Sequence, residues 1–408
     1  MPNYKGIAYL RNKLACKKPR VQLRYAYYDM KNAVDDFRLT TPPQFRHLVE
    51  CLGWCGKAVD ALADRLLFRG FANDNFDLWS IFQMNSADVL FDSAVLSAAI
   101  SSCSFIYIRA GADGYPQLQV LDGGRATGCL DPITNMLTEG YAVLEVDDHG
   151  EPTLEAHFIP GSTTYFPKNK TPYTVHNDAP YPLLVPIIHR PDASRPFGHS
   201  RITRACMSIL QHTLRTLKRT EISAEFYSFP QKYVLGMDPD AEGFEKWGAT
   251  MSSFLRFDKD ADGDKPELGQ FTQMSMSPHI EQLRACAALF AGETGLTMDD
   301  LGFVTDNPSS AEAIKASHET LRLAARKAQR SFGTGILNAG YLAACVRDQY
   351  PYKRSQLYLT APQWEPVFEP DAAMLGAIGD GAAKINQAVP GYFGPGNLRT
   401  LTGIDANG

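Results

Sequence analysis

The stretch Ser277–Val346, SPHIEQLRACAALFAGETGLTMDDLGFVTDNPSSAEAIKASHETLRLAARKAQRSFGTGILNAGYLAACV, decides how the rest of the chain is read. Two helical patterns flank a loop rich in Gly, Asp, Asn and Pro. The first opens at Ser277-Pro278, a cap residue followed by proline at the first helical position, where a missing N–H has no partner to lose. Ile280, Leu283, Ala287 and Phe290 recur at helical spacing, and Gly292 and Gly295 mark the end. The second opens at Ser309-Ser310-Ala311-Glu312, where Ser309 and Glu312 satisfy each other's free backbone donors. Its stripe of Ile314, Leu321, Ala325, Ala328, Phe332 and Ile336 predicts a helix to Val346, roughly 57 Å long at ~1.5 Å per residue. An ordinary globular core needs less. Gly333, Gly335 and Gly340 inside it predict a kink. A long helix entered from such a loop points to a mechanical part rather than a catalytic pocket.

Upstream, Ser200 to Phe226 reads as another long helix. One face carries Ile202, Cys206, Leu210, Leu214 and Leu217; another carries Arg201, Arg204, Ser208, Gln211, Arg215 and Lys218. Between the two helices, residues 231–276 read as a small module. Strands are expected at Gln231–Leu235, Ser253–Phe257 and Leu268–Met274, with a short helix near Ala241–Trp247. From Gly236 to Glu267 there are nine acidic and four basic residues, a balance of −5 equal to the whole chain's excess. This layout predicts that Ser200–Phe226 and Pro278–Thr294 run antiparallel.

Earlier still, the hydrophobic period changes. Residues 1–43 are basic and Tyr-rich around a helix, broken by Thr41-Pro42-Pro43. Gln44 to Phe68 is amphipathic at helical spacing, and residues 76–101 read as two helices with a restart at Asn85-Ser86. From Cys103 the period falls to two, the mark of strands. Strands are expected at Cys103–Arg109, Leu118–Leu121, Tyr141–Val146, Thr153–Phe158, Thr163–Phe166 and Leu183–His189. Such an antiparallel region lacks the strand–helix alternation of a nucleotide-binding sheet. Pro191–Gly198 is a breaker, and beyond residue 350 only Ala372–Ala388 has helical signal.

The composition limits the function classes. With 44% hydrophobic and 21% charged residues, the 408-residue chain is globular, with room for two or three substructures. A net charge of −5 argues against a protein that clamps DNA phosphates everywhere. No apolar run reaches the ~20 residues of a membrane helix, and the basic N-terminus lacks the apolar core of a secretory signal. The eight cysteines are scattered, which fits buried free thiols in a reducing cytoplasm.

Each chemical motif reads better as structure. Asp258-Lys259-Asp260-Ala261-Asp262-Gly263 starts like a calcium loop, but the twelfth position, which needs a bidentate glutamate, is Gly269. With Asp264 this run reads as an acidic turn. His47, Cys51 and Cys55 share a helix face, but the outer two lie ~12 Å apart, too far for one zinc bound at ~2.0–2.3 Å. Gly198-His199-Ser200-Arg201-Ile202 lacks the final glycine of a nucleophile elbow, so Ser200 reads as a helix cap. Phosphate-loop, dinucleotide-loop and H-E-x-x-H motifs are absent, so no cofactor and no catalytic constellation are expected. The basic stripes Arg201, Arg204, Arg215, Lys218 and Lys315, Arg322, Arg326, Arg330 are either solvated faces or surfaces turned to acidic neighbours or DNA.

Several segments in order carry a resemblance. Tyr181–His189 (YPLLVPIIH), Phe197–Ile202 (FGHSRI), Glu221–Gly236 (EISAEFYSFPQKYVLG), Ser277–Glu281 and Asn307–Ile314 together resemble the portal proteins of tailed double-stranded DNA bacteriophages, of the long non-contractile-tail type. The likeness is clear over 181–347 and rests on element order alone over 44–180. It implies an α+β portal fold with a β-rich wing (1–198), stem helices (199–228 and 277–294) and a small α/β clip (229–276). A tunnel loop (295–308) and a long kinked helix (309–347) would follow, then wing completion and a short crown (348–408). It implies a ring, dodecameric in the family, at one capsid vertex of the virion, assembled in the host cytoplasm. Double-stranded DNA would pass through it during packaging and ejection. Its partners would be terminase, capsid and scaffolding proteins and a head–tail connector. Thr297, Asp299, Asp300, Thr305 and Asn307 would be the DNA-facing candidates of the tunnel loop, and Asp258, Asp260, Asp262 and Asp264 the docking candidates of the clip. An acidic conduit suits this role, since each phosphate bound would add affinity that a channel must avoid. The alternatives are a phage-borne metal-dependent nuclease or hydrolase acting on DNA, or a monomeric calcium-binding module.

Overall fold

The computed structural model describes residues 4–34, 47, 50–228, 232–235, 267–270, 275–304, 316–368 and 372–402. It mixes helices and strands, and the chain divides into two compact units. The first comprises Met1–Asn32, Gly53–Met207 and Ala291–Gly408; the second comprises Ala33–Leu52 and Ser208–Phe290.

In the first unit, α1 (Ile7–Tyr28) buries Leu10, Leu14 and Val21. Leu10 and Leu14 join Tyr141 and Val143 in one apolar cluster. The start of α1 is fixed by a buried carboxylate: Lys5 N and Gly6 N each donate to Glu139 at 2.8 Å, and His157 Nε2 lies 2.8 Å from the same group. Helices α2 (Trp54–Ala63), α3 (Leu78–Gln83) and α4 (Ala87–Ser101) follow, with strand β1 (Phe68–Ala72) between the first two. Asp74 starts α3 by accepting from Leu78 N and Trp79 N.

The strands form two larger sheets. β2 (Cys103–Ala110) lies between β3 (Pro116–Leu121) and β9 (Leu184–Ile188), antiparallel to both. β4 (Ala126–Leu130), β5 (Leu137–Val146), β6 (Pro152–Ile159), β7 (Ser162–Pro167) and β8 (Tyr173–His176) form a five-stranded meander in chain order. β2 is buried at six consecutive residues and β9 at all five, so both faces of these strands are covered. α4 packs on that sheet, and so does the long helix of the Ser277–Val346 stretch, which we label α7 (Glu319–Asp348) after α5 (Arg204–Ser228) and α6 (Ser277–Thr294). The unit closes with β12 (Ala361–Trp364), paired with β1, and with α8 (Ala372–Ala388) and α9 (Pro395–Thr402).

The second unit holds most of α5 and α6 and a hairpin of β10 (Lys232–Leu235) with β11 (Glu267–Gln270). Gln211 Nε2 donates to Ala33 O at 2.7 Å. Ser223 Oγ lies 3.4 Å from His279 Nε2 in this unit, and Thr203 Oγ1 donates to Glu293 at 2.8 Å in the first.

Several expectations are corrected. The amphipathic stretch from Gln44 to Phe68 is not one helix: α2 covers only Trp54–Ala63, and Phe68 opens β1. Cys51 therefore precedes the helix and is exposed, whereas Cys55 is buried in it, with burial pushing its thiol pKa up. All eight cysteines are free, but Cys16 and Cys51 are exposed. β4 and β8 have no counterpart among the expected strands, and α9 none among the expected helices. α5 begins at Arg204, not Ser200. Its capping hydroxyl belongs to Thr203, whose Oγ1 accepts from Cys206 N at 3.2 Å. As the apolar stripe predicts, α7 runs as one helix through Gly333, Gly335 and Gly340. Each of these glycines meets a neighbour closely. A Cβ would lie 3.1 Å from Pro362 at Gly333, 2.7 Å from Ile187 at Gly335, and 3.2 Å from Leu78 and Phe82 at Gly340. The expected elements at Ala241–Trp247 and Ser253–Phe257 lie outside the described residues, as does the start of the long helix at 309–315.

Candidate functional site

The strap between β9 and α5, which contains the Phe197–Ile202 segment, joins three helices to the core sheet. His189 N donates to Ser102 O at 2.9 Å, and His199 N returns a bond to His189 O at 2.9 Å. His189 Nδ1 lies 2.6 Å from His199 O, and its ring stacks on Phe332 of α7. Burial pushes the His189 pKa down to about 3, so the ring is neutral and Nδ1–H is the donor. Gly198 sits at φ +71°, where a Cβ would stand 2.1 Å from His189 O; only glycine permits this crossing. Within the strap, His199 Nε2 also lies 2.5 Å from Asp192 Oδ2. Asp192 Oδ1 accepts from Ser194 N and Arg195 N at 2.8 and 2.7 Å. The His199 bond and then these N–H groups hold the Asp192 carboxyl well below the usual range.

The next residues turn inward. Ser200 Oγ donates to Ile100 O at 2.5 Å, and Arg201 N donates to Ala99 O at 2.8 Å, both on α4. The Arg201 guanidinium donates to Ala58 O of α2 at 3.1 Å and to Thr294 O at the end of α6. A cation suits a helix C-terminus, where free carbonyls gather partial negative charge. Burial pushes the Arg201 pKa down to about 10. Arg201 is thus not part of an exposed basic stripe. The reason is local: the helix starts after it, so its side chain follows the bend rather than the helix face.

The other site candidates divide. Arg204 is exposed, Arg215 half-buried, and Lys218 and Gln211 are buried, so the polar stripe of α5 is not a uniformly solvated face. On α7, Arg322 makes a two-pronged ion pair with Glu319, both contacts at 2.6 Å, while Arg326 and Arg330 are exposed. Lys315 lies outside the described residues, as do Thr305, Asn307 and the acidic run Asp258, Asp260, Asp262 and Asp264. In the loop after α6, Thr297 N and Oγ1 both donate to Asp300 Oδ2 at 2.9 Å, and Thr297 Oγ1 accepts from Asp300 N. Although burial acts to raise it, the Thr297 bonds and the His318 and Lys57 charges hold the Asp300 carboxyl below its ordinary pKa. Thr297 and Asp300 therefore shape the loop, while Asp299 and Val304 present exposed side chains. Sequence reasoning missed the inward role of Arg201 and the Glu139 and Asp192 clusters. Their partners lie far away in the chain or donate through backbone N–H groups, and neither leaves a periodic signal.

Among the described residues, no group of three or more His, Cys, Asp or Glu is placed to hold a metal ion. Among them too, no helix is long and apolar enough to cross a membrane.

No protein-family model matches the chain. Two curated relatives do. The portal protein of Mycobacterium phage L5 is 25% identical over 331 residues, covering 76% of this chain and 67% of the relative. The portal protein of Mycobacterium phage D29 is 24% identical over the same length and shares. Among solved structures, a chain of the virion of a native gene transfer agent aligns at TM-score 0.46 and 12% identity, over 86% of this chain and 89% of that one. A chain of the native particle's neck, computed with C12 symmetry, aligns at TM-score 0.45 and 13% identity, with the same coverage. At these TM-scores the two likenesses carry no argument. The sequence relatives do: over three quarters of its length, this chain is similar to the portal proteins of bacteriophages.

Proposed function

We propose that the protein is the portal subunit of a tailed bacteriophage: a ring at one capsid vertex through which double-stranded DNA enters during packaging and leaves during ejection. The observation that carries this reading is the similarity to two phage portal proteins over 331 residues. The layout of the chain agrees with it. Two antiparallel helices, α5 and α6, would form the stem, and the segment between them the clip. The loop after α6 would face the channel, with Asp299 its exposed carboxylate among the described residues. α7 would tie that loop to the wing. The strap from His189 to Arg201 would transmit force between stem and wing, since its glycine crossing and buried guanidinium leave little room for movement. On this reading a separate terminase docks on the acidic clip and supplies ATP hydrolysis, because this chain has no phosphate loop. Head–tail connector, capsid and scaffolding proteins would be its other partners, and the subunit number would be twelve.

Negative-stain electron microscopy with light scattering tests the reading. Rings with a central hole, at many times the 45.1 kDa subunit mass, are expected. A monomer that also refuses to assemble with capsid and scaffolding proteins would contradict it.

A further inference from the structure

α7, β12 and the turn at Arg354 border an open concave pocket of about 740 Å³ whose charged lining, among the described residues, is all of one sign. Arg326 and Arg330 reach it from α7 and Arg354 from the opposite wall, and Leu323, Leu337 and Trp364 supply apolar surface. Among the described residues no acidic side chain lines it. Arg354 is half-buried, and its one partner is neutral: Nε donates to Asn338 Oδ1 at 2.9 Å. Burial lowers its pKa, with no carboxylate opposing the effect. Among the described residues, none of the three guanidinium groups has a carboxylate within ion-pair distance. The described carboxylates nearest along the chain are engaged elsewhere, Glu319 with Arg322, Asp348 with Arg347 and Glu365 with Arg69. A desolvated cation facing only neutral groups is unfavourable until an anion arrives.

We infer that this pocket receives the acidic β5–β6 turn, Asp147–Glu151, of a second copy of the chain, an inference that rests on the ring reading above. The turn matches the pocket in charge and polarity. It is exposed, follows the exposed Val146, and carries Asp148 and Glu151, whose carboxylates have no ion-pair partner among the described residues. Only Asp147 is engaged, with Lys168 at 3.2 Å. Two carboxylates beside an apolar side chain fit three guanidinium groups between apolar walls. Duplex DNA fits less well, because its phosphates follow a rod and call for an open stripe rather than a concavity with apolar walls. Two different patches that pair between copies make a heterologous contact, the kind that closes into rings.

Self-association is the test, measured by sedimentation across a concentration series for the wild type and three variants of the full chain. These are Arg326→Glu/Arg330→Glu, Asp148→Arg/Glu151→Arg, and the four substitutions combined. Each half is expected to weaken association by about tenfold or more in Kd, and the combination to recover most of the loss. Circular dichroism like that of the wild type shows that each variant is folded. Equal association of all four overturns the inference and leaves the ring reading standing. So does a folded combined variant that fails to recover. If the wild type does not associate on its own, the pocket is tested alone by calorimetry with a cyclic peptide of residues 145–152. Binding that Arg326→Glu/Arg330→Glu abolishes supports the pocket's assignment, and absence of binding overturns it. A short DNA duplex that binds through these arginines where the peptide does not overturns it as well.

Discussion

At Arg201 a guanidinium sits in the protein interior and bonds two carbonyls from distant elements. Arg201→Met keeps much of the volume and removes both bonds, leaving buried acceptors unpaired. It should destabilise the fold by about 2–3 kcal/mol in chemical denaturation; an unchanged midpoint would show that the clasp is dispensable. His189 makes a second prediction. Its folded pKa is about 3, below the ~6.5 of an exposed histidine. As pH falls, the unfolded chain takes up the proton first, so stability is full above about pH 6.5 and declines toward pH 3. Relative to His189→Asn, which keeps an N–H donor without titrating, the wild type should lose about 2 kcal/mol between pH 6.5 and 5. Parallel pH profiles would place the titration elsewhere. Little of this was legible in the sequence. Gly198-His199-Ser200-Arg201 read as a helix start with a charged face, because nothing local reveals that the acceptors for Arg201 lie at Ala58 and Thr294.

Among the elements, α7 carries the contrast between glycines that permit contact and glycines that merely weaken a helix. A Cβ at Gly335 would stand 2.7 Å from Ile187 and 3.0 Å from Pro186 O, so backbone as well as side chain would have to shift. Gly335→Val should therefore destabilise by roughly 2–3 kcal/mol through overpacking. At Gly379 in α8 nothing lies within 4 Å. Gly379→Ala should stabilise by up to about 1 kcal/mol through helix propensity, a rise in melting temperature where Gly335→Val gives a fall. The long helices and the strands from Cys103 onward were readable because their periods persist over many residues. β1 and β12 were not: they are short, and each pairs only with a strand almost 300 residues away in sequence, Phe68 with Trp364. β8 was missed for another reason: it is only four residues long and all four are exposed. For the glycines of α7 the sequence shows their backbone freedom but not the neighbours that occupy the space a side chain would need.

For the whole molecule, function was more legible than architecture. The motif order over residues 181–347 resembles that of phage portal proteins, and two curated portal proteins are similar over 76% of the chain. The candidate site residues fared less evenly: Arg201, Thr297 and Asp300 serve the fold, while Asp299, Arg326 and Arg330 remain presented to solvent. The acidic run makes a prediction at this scale. Converting Asp258, Asp260, Asp262 and Asp264 to Asn should leave ring formation intact and weaken terminase or connector docking, read by co-sedimentation; loss of the ring would instead give the run a role in assembly. Capsids assembled from capsid and scaffolding proteins with a gold-labelled form of this chain can be imaged directly. Label at a single vertex of each particle is the expected result, whereas exclusion from particles, or label at every vertex, would contradict a portal.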